Sequence, residues 1–145
     1  MKARRSPPVA YEMLDHTADL GIEVRGESLS DLFAATGAVL ADLMFDPAKV
    51  RERGTRTIRL AAGSKEELMV RWLNELIYLR EVEEFLWRSL EVEAAGETRL
   101  EAALHGEPHD PDSHVFREGL KAATYHQLRV ARDGPQWSSR IIIDV

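Results

Sequence analysis

Apolar residues recur along this chain with two different periods, and the switches between them separate strands from helices. Tyr11-Glu12-Met13-Leu14 and Ile22-Glu23-Val24-Arg25 read as short strands, the second alternating apolar and charged positions as a half-buried strand does. From Ser28 the step lengthens to three and four. Leu29, Leu32, Phe33, Thr36, Leu40, Leu43 and Met44 form one stripe on a helix, with Ser28 and Asp31 at its cap and Asp46-Pro47 at its end. Thr55 to Leu60 alternates again. Ser64-Lys65-Glu66-Glu67 is then a capping box, and Leu68, Met69, Trp72, Leu73, Leu76 and Ile77 supply the buried face of a second helix.

The remainder reads as strand. Leu90 to Glu93 and Arg99 to Leu104 make a hairpin around Gly96, and a polar, solvent-exposed loop runs from His105 to about Glu118. Lys121 to Ala131 and Trp137 to Val145 are two further strands, separated by the turn signal Asp133-Gly134-Pro135. Strands therefore flank and outnumber the helices, with no repeat and no internal linker. The expected fold is a single α+β domain over residues 1–145: two layers, a mixed or mostly antiparallel sheet covered by two helices. A domain of this length buries roughly 68–70% of its unfolded surface, enough to fold without a disulfide.

Composition narrows the chemistry. The absence of cysteine removes disulfides, thiolate zinc sites, Fe–S clusters and thiol nucleophiles together. A net charge of −6 has the wrong sign for neutralising many phosphates, so direct nucleic-acid binding is not expected; a protein partner or a cation suits it better. Pro7-Pro8 interrupts the place where a signal peptide needs its apolar run, and no segment approaches the roughly 18 apolar residues of a membrane span. A soluble, cytoplasmic protein with no membrane role is expected.

Four stretches carry candidate chemistry. Asp15-His16-Thr17-Ala18-Asp19 puts two carboxylates and an imidazole just before Gly21, although Asp and Thr in such connections also serve simply as backbone hydrogen-bond partners. At the far end, Ile141-Ile142-Ile143 must be largely buried before the chain reaches Asp144-Val145. A carboxylate there needs a partner, either Arg140 on the same face or a hard cation such as Ca²⁺ or Mg²⁺, with the Val145 carboxylate as a further oxygen donor. The loop His105 to His114 holds three histidines but fits no zinc spacing, and its prolines point to an extended segment. His126 shares a strand face with Leu128 and Val130, which favours a core or cross-strand role over a catalytic base. No phosphate-cradling glycine loop, nucleophile elbow or His-Glu-x-x-His helix is present, so the chain is expected not to be an enzyme.

His16-Thr17-Ala18-Asp19-Leu20-Gly21-Ile22, Trp72-Leu73-Asn74-Glu75-Leu76, Lys121-Ala122-Ala123-Thr124-Tyr125-His126 and Asp144-Val145, taken together and in this order, resemble the archease family. The resemblance implies an accessory activator of an RtcB-type RNA ligase, promoting its guanylylation with GTP and Mn²⁺ and its multiple turnover in tRNA splicing and RNA repair. It also implies that Asp19, Asp144 and Val145 converge on one divalent metal ion, with Ca²⁺ the expected occupant, and that His114 matches a family histidine of unassigned role. Three acidic oxygen sources in one place repel one another, and a divalent ion removes that cost. The alternative is a chaperone-like scaffolding module for RNA-processing enzymes. The loop around His109 to Asp112 and the arginine-rich start inherit nothing from the family.

Overall fold

The computed structural model describes residues 2–14 and 19–145. Its elements are β1 (Ala3–Arg5), β2 (Glu12–Leu14), β3 (Leu20–Gly26), α1 (Leu29–Met44), β4 (Gly54–Ala61), α2 (Lys65–Glu81), β5 (Phe85–Ala95), β6 (Arg99–Pro108), β7 (Ala122–Asp133) and β8 (Gln136–Asp144), with a 3-10 turn at Pro47–Lys49. The strands form two sheets, ordered β1-β5-β6-β4 and β2-β3-β8-β7, and every pairing is antiparallel. The α+β class and antiparallel character stand as expected; the strands divide between two sheets rather than filling one. No helix among the described residues is long and apolar enough to cross a membrane.

Both helices begin where their caps dictate. The Ser28 hydroxyl accepts from the Asp31 N–H at 3.0 Å, and the Asp31 carboxylate in turn accepts from the Glu27 N–H at 2.9 Å. Ser64 and Glu67 repeat the arrangement, with the Ser64 hydroxyl accepting from the Glu67 N–H and the Glu67 carboxylate accepting from the Gly63 N–H. These bonds satisfy N–H groups that have no partner within the first helical turn.

Helix α1 departs from the single apolar stripe. It is buried on nearly every side, because Ala34, Ala35, Ala38 and Ala41 occupy the positions that the stripe leaves open. These small residues let β5 and β1 of the first sheet, β3 of the second, and α2 all pack on one helix. The closest approach is at Gly37, where a Cβ would lie 2.4 Å from a methyl of Leu90 and 3.1 Å from the Trp72 ring. One hydrophobic cluster consequently runs through both sheets and both helices.

Two further differences trace to pairing that periodicity does not reveal. The arginine-rich start, in which no strand was expected, adds β1 to the edge of the first sheet, opposite Leu90 to Val92. Arg5 then reaches the Asp31 carboxylate with two hydrogen bonds of 2.8 and 3.1 Å. The loop expected from His105 starts later, since β6 carries His105 to Pro108 alongside β5. A bulge at Arg88 makes room for that extension, and the chains approach so closely that a Cβ on Gly106 would fall 1.8 Å from the Leu86 carbonyl oxygen.

The hydrogen bond from Arg5 holds the Asp31 carboxyl below its usual range, so the carboxylate contributes stability above the unfolded-state value of about 3.9 and loses it as pH falls through the lower folded value. Asp31→Asn is expected to lower unfolding free energy at neutral pH by about 1 kcal/mol or more, and to flatten the acid limb of the stability curve. Urea unfolding followed across pH 2–7, on the order of six points for each protein, checks both effects.

Candidate functional site

The second sheet brings together the ends of segments far apart in sequence. In the β3–β8 pairing Leu20 faces Ile143, Gly21 faces Ile142 and Glu23 faces Arg140. The pairing ends there; Asp19 immediately precedes Leu20 and Asp144 immediately follows Ile143. Ile22, Val24, Ile141 and Ile143 turn into the core, so alternation assigns Asp144 to the opposite face, the one carrying Glu23 and Arg140. Carboxylates gathered at one strand end repel one another unless something neutralises them.

Arg140 does not supply that neutralisation. Its guanidinium lies 4.0 Å from a Glu23 carboxylate oxygen, and Arg140 stands four residues before Asp144 on β8. The structural partner that the sequence offered for Asp144 is therefore engaged elsewhere. Asp144 is half-buried, and its backbone carbonyl accepts from the Lys121 N–H at 2.8 Å; Val145 follows it, exposed. Among the described residues no group of three or more His, Asp and Glu side chains is arranged to hold a metal ion. Asp15 and His16 lie outside the described residues, and the expected set draws only two side chains, Asp19 and Asp144.

The other two motif blocks meet at the same end. Asn74, on α2, accepts the Ala123 N–H at 2.8 Å through its side-chain oxygen, and this bond ties the helix to the start of β7. Ala122 pairs with Asp144 and Ala123 with Ile143. Asn74, Lys121 and Asp144 thus belong to one continuous hydrogen-bonded corner, beside the Leu20–Ile143 pair. Asn74 was legible only as part of a motif, since a polar residue beside an apolar stripe carries no sign of the strand it will hold.

Beyond Thr124 the β7–β8 ladder breaks and resumes at Arg129 opposite Arg140. The excursion contains Gln127 at φ 54°, a left-handed conformation uncommon for a residue of that type. It leaves Tyr125 60% exposed, with His126 exposed beside it. The placement of His126 with Leu128 and Val130 on a packed face is corrected here, because the bulge interrupts the alternation on which it rested.

His114 also differs from expectation. It is buried rather than part of an extended solvent-exposed segment, with its Nδ1 accepting from the Asp110 N–H at 2.8 Å and its Nε2 3.0 Å from the Glu107 carboxylate. Since Nδ1 accepts, a neutral ring carries its proton on Nε2 and donates to Glu107. Burial opposes ionisation of Glu107, but the Arg51 N–H, His114 and Arg53 outweigh it and hold the carboxyl below the usual carboxylate range. The arrangement closes the loop onto β6 and accounts for His114 as a structural residue; Glu107, its anchor, had no signal in the sequence.

Residues 11–145 match the archease protein family (MTH1598/TM1083). Among curated relatives, protein archease of Methanosarcina mazei is 33% identical over 139 residues, covering 93% of this chain and 95% of that protein. Protein archease of Pyrococcus abyssi is 31% identical over 140 residues, with coverage of 93% and 98%. Two solved structures share the fold. The solution structure of Methanobacterium thermoautotrophicum protein 1598 aligns with a TM-score of 0.77 at 22% identity, over 93% of this chain and 98% of that one. The crystal structure of a Thermotoga maritima archease, described as a possible chaperone, aligns with a TM-score of 0.62 at 19% identity, over 92% and 96%.

The Asn74 bond gives the corner a direct test. Asn74→Ala leaves the Ala123 N–H without its acceptor in a partly buried position and is expected to cost about 1–3 kcal/mol. Hydrogen exchange should show the loss concentrated at the start of β7, where the Ala123 amide exchanges faster than in the wild type.

Proposed function

This chain belongs to the archease family, and from that premise we propose that it is an accessory protein that activates an RtcB-type RNA ligase through the corner formed by Asp19 and Asp144. The reading makes it a promoter of the ligase's guanylylation and repeated turnover in tRNA splicing and RNA repair, without joining RNA itself. One observation supports the site: the β3–β8 pairing brings Leu20 beside Ile143, the residues next in sequence to Asp19 and Asp144, while Arg140 is turned to Glu23.

The donor set fits a divalent cation. Asp19 and Asp144 offer carboxylate oxygens alone, the chemistry that Ca²⁺ and Mg²⁺ prefer, and in a chain that stops at Val145 the main-chain carboxylate adds a third source. When bound, such an ion neutralises the acidic corner and leaves coordination positions for water or for groups of a partner. The chain's own residues do the rest. Asn74 and Lys121 hold β7 against the corner, and the paired strands keep Leu20 beside Ile143, next to the two proposed carboxylates. An activator then needs only to bind one state of the ligase better than another, and a preformed acidic tip gives it a rigid surface for doing so.

In a reconstituted multiple-turnover ligation with an RtcB-type ligase, Asp19→Ala and Asp144→Ala are each expected to reduce stimulation to the level of ligase alone, with helical content and thermal unfolding preserved. Full stimulation by a folded Asp144→Ala protein contradicts the assignment. The chaperone-like reading, favoured by the description of the Thermotoga relative, separates on adding a chelator. A fall in melting temperature without loss of stimulation assigns the ion to stability alone.

A further inference from the structure

An acidic protein with a local excess of cations invites a question about what those cations meet. A cleft of about 500 Å³ is lined by Ala48, Lys49, Val50, Arg51, Arg88, Asp112 and Ser113. Three of these side chains are cationic and one is anionic, in a chain whose net charge is −6. The excess is built by the backbone. The 3-10 turn, with Asp46 accepting from the Ala48 N–H at 3.1 Å, presents Lys49 and Arg51 close together at one wall.

Arg88 forms the opposite side. It stands at the bulge between Trp87 and Ser89, where the alternation of β5 is broken so that Arg88 is exposed between buried neighbours. Its Nη1 donates to the Ala48 and Val50 carbonyls, each at 3.3 Å, and this fixes the guanidinium plane at the cleft wall. The bulge depends on Gly106, the residue that lets β6 approach there. Lys49 and Arg51 differ from the surrounding arginines. Arg4, Arg53 and Arg117 each face a carboxylate within 4 Å, whereas among the described residues no carboxylate pairs with the Lys49 or Arg51 side chain. Arg51 is held through its backbone instead, its N–H donating to Glu107 at 2.7 Å, which leaves the side chain available.

We propose that this cleft binds a phosphate-bearing ligand, with Lys49, Arg51 and the fixed Arg88 guanidinium as the cationic donors; Ser113 lines the cleft with its hydroxyl already donated to Asp110 at 3.2 Å. Arg88 offers the planar fork that matches two oxygens of a phosphate, and Lys49 and Arg51 add charge that the rest of the protein does not cancel. Asp112 stands at the rim and sets a limit: three cations against one carboxylate suit a compact group of one to three phosphates, such as a phosphorylated end or a polyphosphate chain. A duplex backbone, needing many more contacts, does not fit this count. The site is distinct from the Asp19–Asp144 corner and is independent of the ligase reading.

Inorganic tripolyphosphate, titrated into the ¹⁵N-labelled full chain at about 100 mM salt, tests it. Saturable shifts are expected at Lys49, Arg51, Arg88 and Ser113. The double variant Lys49→Gln/Arg51→Gln keeps every backbone bond that shapes the cleft and should bind at least roughly tenfold more weakly, with unchanged spectra elsewhere. A 5′-phosphorylated oligonucleotide forms the second arm. Tighter binding than tripolyphosphate at equal salt assigns the ligand to a polynucleotide end, and weaker binding assigns it to a free polyphosphate. No saturable shift with either probe, or equal affinity in the double variant, overturns the proposal.

Discussion

Two indole N–H groups hold the centre of this fold. Trp72 of α2 donates to the Phe33 carbonyl at 3.0 Å and to the Thr36 hydroxyl at 3.2 Å, and Trp87 of β5 donates to the Gly37 carbonyl at 3.0 Å. Both rings are fully buried. A buried indole without an acceptor leaves an unsatisfied donor at a cost of about 1–3 kcal/mol, so these bonds specify where α2 and β5 meet α1. The missing side chain at Gly37 is part of the same arrangement, since Trp72 and Leu90 fill its place. Once α1 is held on both flanks, the first sheet is anchored through β5 and the second through β3, which enters α1 at its Ser28 cap.

That placement makes the acidic corner rigid. Ile22 and Val24 pack inward with Ile141 and Ile143, which locks the β3–β8 register because a one-residue slip would turn this apolar set outward. That core holds Leu20 beside Ile143, the residues next in sequence to Asp19 and Asp144. The Asn74 bond extends the same fixation to β7, and the four motif blocks that lie scattered along the chain become neighbours around a single strand end.

What could be read beforehand follows from which interactions are local. Helix starts were legible because Ser28 and Ser64 act within three residues of themselves, and most strands because alternation is a property of adjacent positions. The β1 strand was not, since Ala3 to Arg5 become a strand only by pairing with Leu90 to Val92. The alanines of α1 look neutral until two sheets close on them. His126 was misplaced because a bulge breaks the period, and His114 because its anchor Glu107 belongs to a strand extension hidden in a polar sequence. The corner itself was expected from a family resemblance and not from spacing; the register shows only that the neighbours of Asp19 and Asp144, Leu20 and Ile143, are paired.

Calcium titrated into the ¹⁵N-labelled protein bears most directly on the corner as a cation site. The account predicts saturable shifts centred on Asp19, Leu20, Lys121, Ile143 and Asp144, and their loss in Asp144→Asn. Shifts that are absent from these residues, or that persist unchanged in Asp144→Asn, contradict it.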